Sequence, residues 1–354
     1  MTSALHSLYL GTYTEGGTSR GIYHTRFDAE TGSLSPWALV AETPNPSFLA
    51  FSPDLATLYA VNESPSAIRA YEVLPEGALQ PRGVIDTRVV GPCDVAVERT
   101  GGLIVVAEYT GGAVSAYALA SDGALTSRTA HHAHAGRSAH PTRQEAPHAH
   151  GVTFSPDGRF LAVPDLGTDE VRLYVVDRAA STLRPHPGAT LRIAPGSGPR
   201  HAQFSPDGRH LYVLNELSST ITVADFSAAH GFARTIETVC TLPGSFQGVS
   251  TTAEIVIDPT GCWVFASNRG HDSIALFARD PATGRLLQKA IVPTGGRTPR
   301  HFTLAPGGGW LLIGNQESDT VTIFRFDAAT GTLWPHGAPT AAPCPVCLRF
   351  RCHP

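Results

Sequence analysis

The chain has 354 residues and a formal charge of −4 at pH 7, from 26 basic and 30 acidic side chains. This balance argues against a nucleic-acid scaffold or a basic membrane-surface protein, because both need an excess of positive charge. No apolar run approaches the roughly 18 residues that a membrane span needs. The first residues lack the basic and apolar regions of a secretory signal. We therefore expect a globular, cytoplasmic protein that binds neither nucleic acid nor membrane.

A short turn motif recurs along the chain. Phe-Ser-Pro-Asp stands at 51–54, 154–157 and 204–207, and weaker copies follow at 97–101, 257–261 and 304–308. Each copy lies between two short apolar runs, so each is predicted to be a β-hairpin turn. The ninth residue after the turn proline (Arg99 in one copy) is polar in every case. These residues are Asn62, Glu108, Asp165, Asn215, Asn268 and Asn315, with Thr12 as an N-terminal equivalent.

A second turn motif alternates with the first. Asp-x-x-Thr-Gly-x-Leu stands at 28–34, 280–286 and 327–333, and shorter versions stand at 75–79 and 121–125. Each unit of about 50 residues thus holds four strands and two hairpins, which is typical of one propeller blade. The sequence predicts an all-β, seven-bladed β-propeller with four antiparallel strands per blade, forming a single domain over residues 1–354.

The chain ends explain how such a ring closes. Pro345–Phe350 resembles the inner strand of earlier units, such as Pro46–Phe51, and the chain stops before the next strand of that blade. The N-terminal strand, Leu8–Tyr13, has no partner within its own unit. We expect the two to pair, because pairing removes the exposed edges of an open ring.

The residues at the channel mouth can be counted from the turn proline. We expect position −6 to face position +10 across the first hairpin, at one end of the central channel. Position −6 holds Ser47, Cys93, His150, Arg200, Ala253 and Arg300, and position −5 adds Asp94, His201, Glu254 and His301. Position +10 holds Tyr13, Glu63, Tyr109, Leu166, Glu216, Arg269 and Gln316.

Arginine, histidine and glutamate concentrate at these positions in the later units. This asymmetry favours an anion-binding site with acid and base groups over strand ends that are merely solvated. The polar residues at position +9 are interpreted differently, as caps of strand ends and turns.

Two weaker patterns are given structural interpretations. Six histidines lie within residues 131–150, in the longest spacing between units, where a solvated loop is favoured over a metal-binding tract. Cys344, Cys347, Cys352 and His353 have the ligand types of a zinc site. No second Cys-x-x-Cys pair accompanies them, so unpaired cysteines are favoured.

Seven segments together resemble one known family. They are Tyr9-Leu-Gly-Thr-Tyr-Thr, Arg143-Gln-Glu-Ala-Pro-His-Ala-His150, Val163-Pro-Asp-Leu-Gly167, Gly198-Pro-Arg-His201, Leu214-Asn-Glu-Leu217, Ser267-Asn-Arg-Gly-His-Asp272 and Pro299-Arg-His-Phe302. The chain is similar to the lactonase seven-bladed propeller family, which includes propeller-type 6-phosphogluconolactonases and fungal 3-carboxy-cis,cis-muconate lactonising enzymes. The resemblance implies an enzyme that needs no cofactor or metal and acts on a small anionic lactone or carboxylate.

The resemblance also implies a catalytic set, which consists of His150, Arg200, Glu216 and Arg269. We assign substrate binding to His201, Glu254, Arg300, His301 and Gln316. Either His150 or Glu216 would act as the base, while arginines stabilise the oxyanion.

Three functions remain open on these residues. The first is hydrolysis of a sugar lactone, with 6-phosphogluconolactone as the leading substrate. The second is the lactonising (cycloisomerase) reaction on 3-carboxy-cis,cis-muconate. The third belongs to another class, a non-catalytic propeller that binds a protein, and it predicts apolar or aromatic residues at the channel mouth.

Overall fold

The computed structural model describes residues 5–352, and almost all of its regular structure is β-strand. The strands form seven antiparallel sheets, six of which are built from four strands that are consecutive in the chain. The predicted seven-bladed propeller with four antiparallel strands per blade is confirmed. No helix in the described part of the chain has the length and apolar character needed to cross a membrane.

The strands are numbered in chain order. The first four are β1 (Leu5–Thr12), β2 (Gly21–Asp28), β3 (Ser33–Leu34) and β4 (Ala38–Glu42). Blade 1 holds β5 (Pro46–Phe51), β6 (Thr57–Asn62), β7 (Ala67–Val73) and β8 (Leu79–Asp86). Blade 2 holds β9 (Pro92–Val97), β10 (Leu103–Glu108), β11 (Ala113–Leu119) and β12 (Leu125–Ala133). Blade 3 holds β13 (Thr153–Phe154), β14 (Phe160–Asp165), β15 (Glu170–Asp177) and β16 (Thr182–Arg192).

The remaining blades follow the same order. Blade 4 holds β17 (Pro199–Phe204), β18 (His210–Asn215), β19 (Thr220–Ser227) and β20 (Phe232–Cys240). Blade 5 holds β21 (Thr251–Ile257), β22 (Trp263–Arg269), β23 (Ser273–Arg279) and β24 (Leu286–Pro293). Blade 6 holds β25 (Pro299–Leu304), β26 (Trp310–Asn315), β27 (Thr320–Asp327) and β28 (Thr332–Ala341), and β29 is Pro345–Phe350. Short 3₁₀ turns lie at Pro75–Gly77 and Gln316–Ser318.

Blade 7 joins the two ends of the chain. Its order is β29, β1, β2 and an outer strand split into β3 and β4, both of which pair with β2. β1 pairs antiparallel with β29, with Leu8 opposite Phe350 and Leu10 opposite Leu348. Leu8, Tyr9 and Leu10 are fully buried. The predicted closure by the N-terminal strand is confirmed, and it places an apolar strand in the middle of a blade.

The glycine of the second turn motif packs against the neighbouring blade. Gly331, in blade 6, has φ +68°, and a Cβ there would overlap the ring of Trp263 in blade 5. Gly32, in blade 7, meets the ring of Trp310 in blade 6 in the same way. The motif therefore serves both the turn, which needs a positive φ, and the close approach of adjacent blades.

The prediction that residues at positions −6 and +10 face each other across the first hairpin is wrong, because a β-bulge interrupts the strand pairing at position −6. In blade 4, Pro199 pairs with Asn215 and His201 pairs with Leu214, so Arg200 is the extra residue between them. The same shift occurs at Ser47 in blade 1 and at Arg300 in blade 6. A bulge inserts one unpaired residue and re-aims its side chain. Side chains at both position −6 and position −5 can therefore line the central channel.

The polar residues at position +9 are confirmed as structural groups. Asn215 Nδ2 donates to the hydroxyls of Thr220 and Thr222 at 2.9 and 3.0 Å. Asp165 accepts the backbone N–H groups of His148 and Gly167 at 2.8 and 3.0 Å. These side chains are fully buried, and they connect the second strand to its neighbours.

The histidine-rich segment is only partly the solvated loop that the sequence predicted. His131 and His132 lie in β12, and His134 and His148 are buried. His134 bridges two partners, with Nδ1 2.5 Å from Asp165 Oδ2 and Nε2 2.9 Å from the Tyr174 hydroxyl. His134 and His148 are buried because the segment packs against Asp165 of blade 3 and Tyr109 of blade 2.

The C-terminal cysteines are free, as are the other three cysteines of the chain. Cys347 lies in β29 and is buried, as expected for a residue of the closing strand. His353, the fourth candidate zinc ligand, lies outside the described residues. Within residues 5–352, no group of three or more His, Cys, Asp or Glu residues is arranged to hold a metal ion.

Candidate active site

A polar pocket of about 210 Å³ opens at one end of the channel. It lies where the second strands of the blades end and the inner strands begin, as the sequence predicted. Its lining consists of Glu63, Gly91, Cys93, Tyr109, Thr110, Arg143, His150, Glu216, Arg269 and Arg300. This volume is below the roughly 300–1,000 Å³ of pockets for drug-sized ligands, so the pocket suits a small polar molecule.

Glu216 lies at the centre of a cluster of guanidinium groups. Its Oε2 is 3.1 Å from Arg200 Nε and 3.0 Å from Arg269 Nη2, and its Oε1 is 2.6 Å from Arg143 Nη2. Burial alone would raise the pKa of the Glu216 carboxyl, but the three arginines outweigh burial and lower this pKa to about 2. Glu216 is therefore an ionised carboxylate at neutral pH.

His150 is the titratable group beside this cluster. Its Nε2 lies 4.0 Å from Glu216 Oε2, and its ring meets the Tyr109 ring edge-on at 5.2 Å. Burial and the nearby Arg200 charge hold the pKa of His150 well below its usual value. The imidazole is consequently neutral at pH 7 and has a nitrogen lone pair available to accept a proton.

Arg300, near the start of β25 in blade 6, also lines the pocket. Its Nη2 donates to the Tyr13 hydroxyl at 2.6 Å, and the guanidinium lies over the Tyr13 ring at 4.9 Å. The same hydroxyl donates to Glu63 Oε1 at 2.8 Å. Arg300 and Glu63 therefore form a locally neutral pair bridged by a phenol.

A second group of charged residues lies further along the channel, around a narrow cavity of about 10 Å³. His201 Nδ1 lies 3.1 Å from Glu254 Oε2, and His301 Nε2 lies 3.5 Å from the same oxygen. The backbone N–H of Leu348 donates to His301 Nδ1 at 3.2 Å, so the proton of this imidazole is on Nε2, facing Glu254. Burial lowers the pKa of His301 to about 3, whereas the flanking histidines lower the pKa of Glu254 to about 2 despite burial.

The structure brings eight of the nine predicted site residues to these two cavities. His150, Glu216, Arg269 and Arg300 line the outer pocket, and Arg200, His201, Glu254, Arg300 and His301 line the inner cavity. Gln316 begins the 3₁₀ turn at Gln316–Ser318 and lines neither cavity.

Arg143 is the charged residue of the pocket lining that does not lie at position −6, −5 or +10. It lies in the connection 134–152, outside the repeated hairpins from which positions −6 and +10 were counted. Its one sequence signal was its place at the start of the segment 143–150, which ends at His150. Arg143 reaches Glu216 from the neighbouring blade, as the 2.6 Å ion pair shows.

Comparison with known proteins agrees with this architecture. The family model described as "Lactonase, 7-bladed beta-propeller" matches residues 7–350. The 6-phosphogluconolactonase of Bacillus subtilis is 33% identical over 299 residues, which cover 83% of each protein. A solved structure of a periplasmic gluconolactonase from Pseudomonas aeruginosa is 34% identical, with a TM-score of 0.92 over 99% of this chain and 100% of that one. A structure from Lactobacillus plantarum, 32% identical, also has a TM-score of 0.92, over 98% of this chain and 99% of that one. The chain belongs to the lactonase seven-bladed β-propeller family.

Proposed function

We propose that the protein hydrolyses 6-phosphogluconolactone to 6-phosphogluconate in the outer pocket. The observation that carries this proposal is the buried Glu216 carboxylate held by three guanidinium groups beside a neutral histidine. Such a site offers positive charge to an anionic substrate and to the developing oxyanion, together with a group that accepts a proton. The Bacillus subtilis relative, named 6-phosphogluconolactonase, supports the choice of substrate.

His150 is the better candidate for the base. Glu216 already accepts contacts from three guanidinium groups, and a carboxyl with a pKa of about 2 is a weak base. Neutral His150 can take a proton from a water molecule as the water oxygen attacks the lactone carbonyl carbon. The imidazolium then returns that proton to the ring oxygen as the ring C–O bond breaks. The product carboxylic acid ionises and releases one proton.

Arg269 is the candidate for stabilising the tetrahedral oxyanion. Its guanidinium lines the pocket, and its buried Nε has no hydrogen-bond partner among the described residues. Nη2 is already used, since it lies 3.0 Å from Glu216 and 2.8 Å from the Thr252 carbonyl oxygen. Glu216 thus orients Arg269, and the remaining donors can meet charge that develops on the substrate.

The mouth does not favour a protein-binding propeller, because its lining is charged and polar where that alternative requires apolar residues.

The lactonising alternative is tested directly. Purified protein is assayed with 6-phosphogluconolactone, glucono-1,5-lactone and 3-carboxy-cis,cis-muconate, with subtraction of spontaneous lactone opening. We expect turnover of the phosphorylated lactone, abolished in His150→Gln and retained in His132→Ala. Turnover of the muconate alone would overturn the proposal.

A cytoplasmic location is also part of the proposal. All six cysteines are free, which suits a reducing compartment. Because the Pseudomonas aeruginosa relative is a periplasmic protein, fractionation of the source cells provides the test. Recovery with a periplasmic marker would contradict this location.

A further inference from the structure

Arg143 differs from the other two arginines that contact Glu216. Arg200 and Arg269 belong to the blades, at β17 and at the end of β22, and their side chains are 4% and 15% exposed. Arg143 comes from the longest connection between blades, and its side chain is 37% exposed. Of the three, Arg143 is therefore the guanidinium that an incoming ligand reaches first.

The backbone on both sides of Arg143 is anchored. The fully buried Gln144 donates through Nε2 to the Leu166 carbonyl oxygen at 2.8 Å, and its Oε1 accepts the His140 N–H at 2.9 Å. His148 Nδ1 lies 3.0 Å from the carbonyl oxygen of Tyr109, and the two rings stack at 4.4 Å. A long side chain on a fixed backbone presents its charge at a defined place, at low cost in ordering.

Arg143 also has unused donors. Its hydrogen bonds among the described residues use Nη2 alone, to Glu216 Oε1 at 2.6 Å and to the Tyr109 hydroxyl at 3.4 Å. A guanidinium carries five N–H donors, so those on Nη1 and Nε remain for a ligand. Arg200 and Arg269, in contrast, also donate to the backbone carbonyl oxygens of Ala253 and Thr252.

The charge around Glu216 leaves room for a dianion. One carboxylate stands against three guanidinium groups, so the cluster has a net charge of +2 when His150 is neutral. A phosphate monoester carries about −1.5 to −2 at pH 7. Elsewhere in the pocket lining, Glu63 already balances Arg300 through Tyr13, and its carboxylate would repel a phosphate placed beside it.

We propose that Arg143 is a specificity-determining residue that binds the phosphate of the substrate at the pocket mouth. This inference rests on the proposed lactonase function, and it places the lactone ring toward His150 and Arg269. Two adjacent N–H donors of a guanidinium match two phosphate oxygens, so an arginine on a fixed backbone selects phosphorylated over unphosphorylated lactones.

The test compares two lactones in three variants. Kinetics are measured with 6-phosphogluconolactone and with glucono-1,5-lactone for wild type, Arg143→Ala, Arg143→Lys and the control Arg137→Ala. Arg137 is an exposed arginine of the same connection. Loss of the phosphate contact should raise KM for the phosphorylated lactone about 10- to 100-fold in Arg143→Ala, with a smaller rise in Arg143→Lys. Any effect transmitted through Glu216 acts on both lactones alike, so the ratio of their kcat/KM values isolates the contact.

Equal losses on the two lactones, or no loss on either, would overturn the role of Arg143. Calorimetry with inorganic phosphate gives a readout that needs no turnover. Wild type and Arg137→Ala should bind phosphate with equal affinity, and Arg143→Ala should bind it at least about 10-fold more weakly. If wild type hydrolyses neither lactone, the proposed function fails. Phosphate affinity that is unchanged in Arg143→Ala overturns the phosphate contact separately.

Discussion

Replacing Glu216 with glutamine should damage both stability and turnover. The Glu216 side chain is 4% exposed and within 3.1 Å of three guanidinium groups, two of which are themselves largely buried. Removing one partner of a buried ion pair typically costs about 3–5 kcal/mol, because the remaining charge loses its compensation. For 354 residues, the unfolding entropy is roughly 0.7 kcal/mol per kelvin, so Tm should fall by about 4–7 °C.

A second variant separates the two roles of Glu216. The double variant Glu216→Gln with Arg269→Met removes one of the uncompensated cations, so it should recover a substantial part of the lost Tm. Turnover should not recover, because the proposed oxyanion donor is then missing as well, and the loss of such a donor typically costs about 10²–10³ in rate. Calorimetry gives Tm and pH-stat titration gives acid release. Near wild-type turnover in Glu216→Gln, or a double variant no more stable than the single one, would refute this account of the cluster.

Three further predictions concern closure and pH. Deleting residues 1–12, which removes β1 from the middle of blade 7, should abolish the cooperative thermal transition, whereas shortening the loop 242–249 should leave it cooperative. Because the pKa of His150 is held well below its usual value, kcat/KM for glucono-1,5-lactone, which has no phosphate to titrate, should stay level from pH 7.5 to 6.5 and fall only in more acidic solution. A fall centred near pH 6.5 would contradict a buried neutral base. Burial raises the pKa of Glu108 to about 7, so its stabilising contribution is complete below pH 4.5 and is lost as the pH rises through 7. Glu108→Gln should therefore gain up to about 3 kcal/mol relative to wild type between pH 5 and pH 9 in urea titrations.

The fold could be predicted because each blade repeats the same two turns. The Pro-Asp-Gly turn marks the first hairpin, and the Thr-Gly turn marks the second, so the strands between them follow by counting. The contacts between blades could not be read in this way. Gly331 is recognisable as a turn residue, but its contact with the Trp263 ring joins two blades and appears only in three dimensions.

The sequence correctly predicted which positions lie at the channel mouth, but it did not predict which of these residues pair across the strands. The bulge at Arg200 shifts the pairing of β17 with β18, yet Arg300 carries the same bulge in blade 6. Because the same bulge occurs in related blades, it shifts their equivalent positions by the same amount, and these positions stay at the same level of the channel. This is why His150, Glu216 and Arg269 meet at one pocket even though the assumed cross-strand partners were wrong. Counting from a repeated turn therefore identifies a layer of the channel more reliably than a pair of contacts.

Counting positions from the repeated turn could not identify site residues that lie outside the repeat. The seven-fold arrangement would place similar side chains around the mouth, but only the connection 134–152 brings Arg143 over a neighbouring blade to Glu216. With Arg200 and Arg269 alone, the cluster would carry a net charge of +1, and Arg143 adds the cation that can meet a phosphate. The register-equivalent positions −6 and +10 thus hold His150, Glu216 and Arg269, the groups proposed for lactone chemistry. The part of the connection that has no equivalent in other blades holds Arg143, the group proposed for choosing the substrate. On this reasoning, exchanging residues 135–147, which leaves His150 in place, between relatives of different substrate preference should change the preferred lactone while the pH dependence set by His150 stays the same.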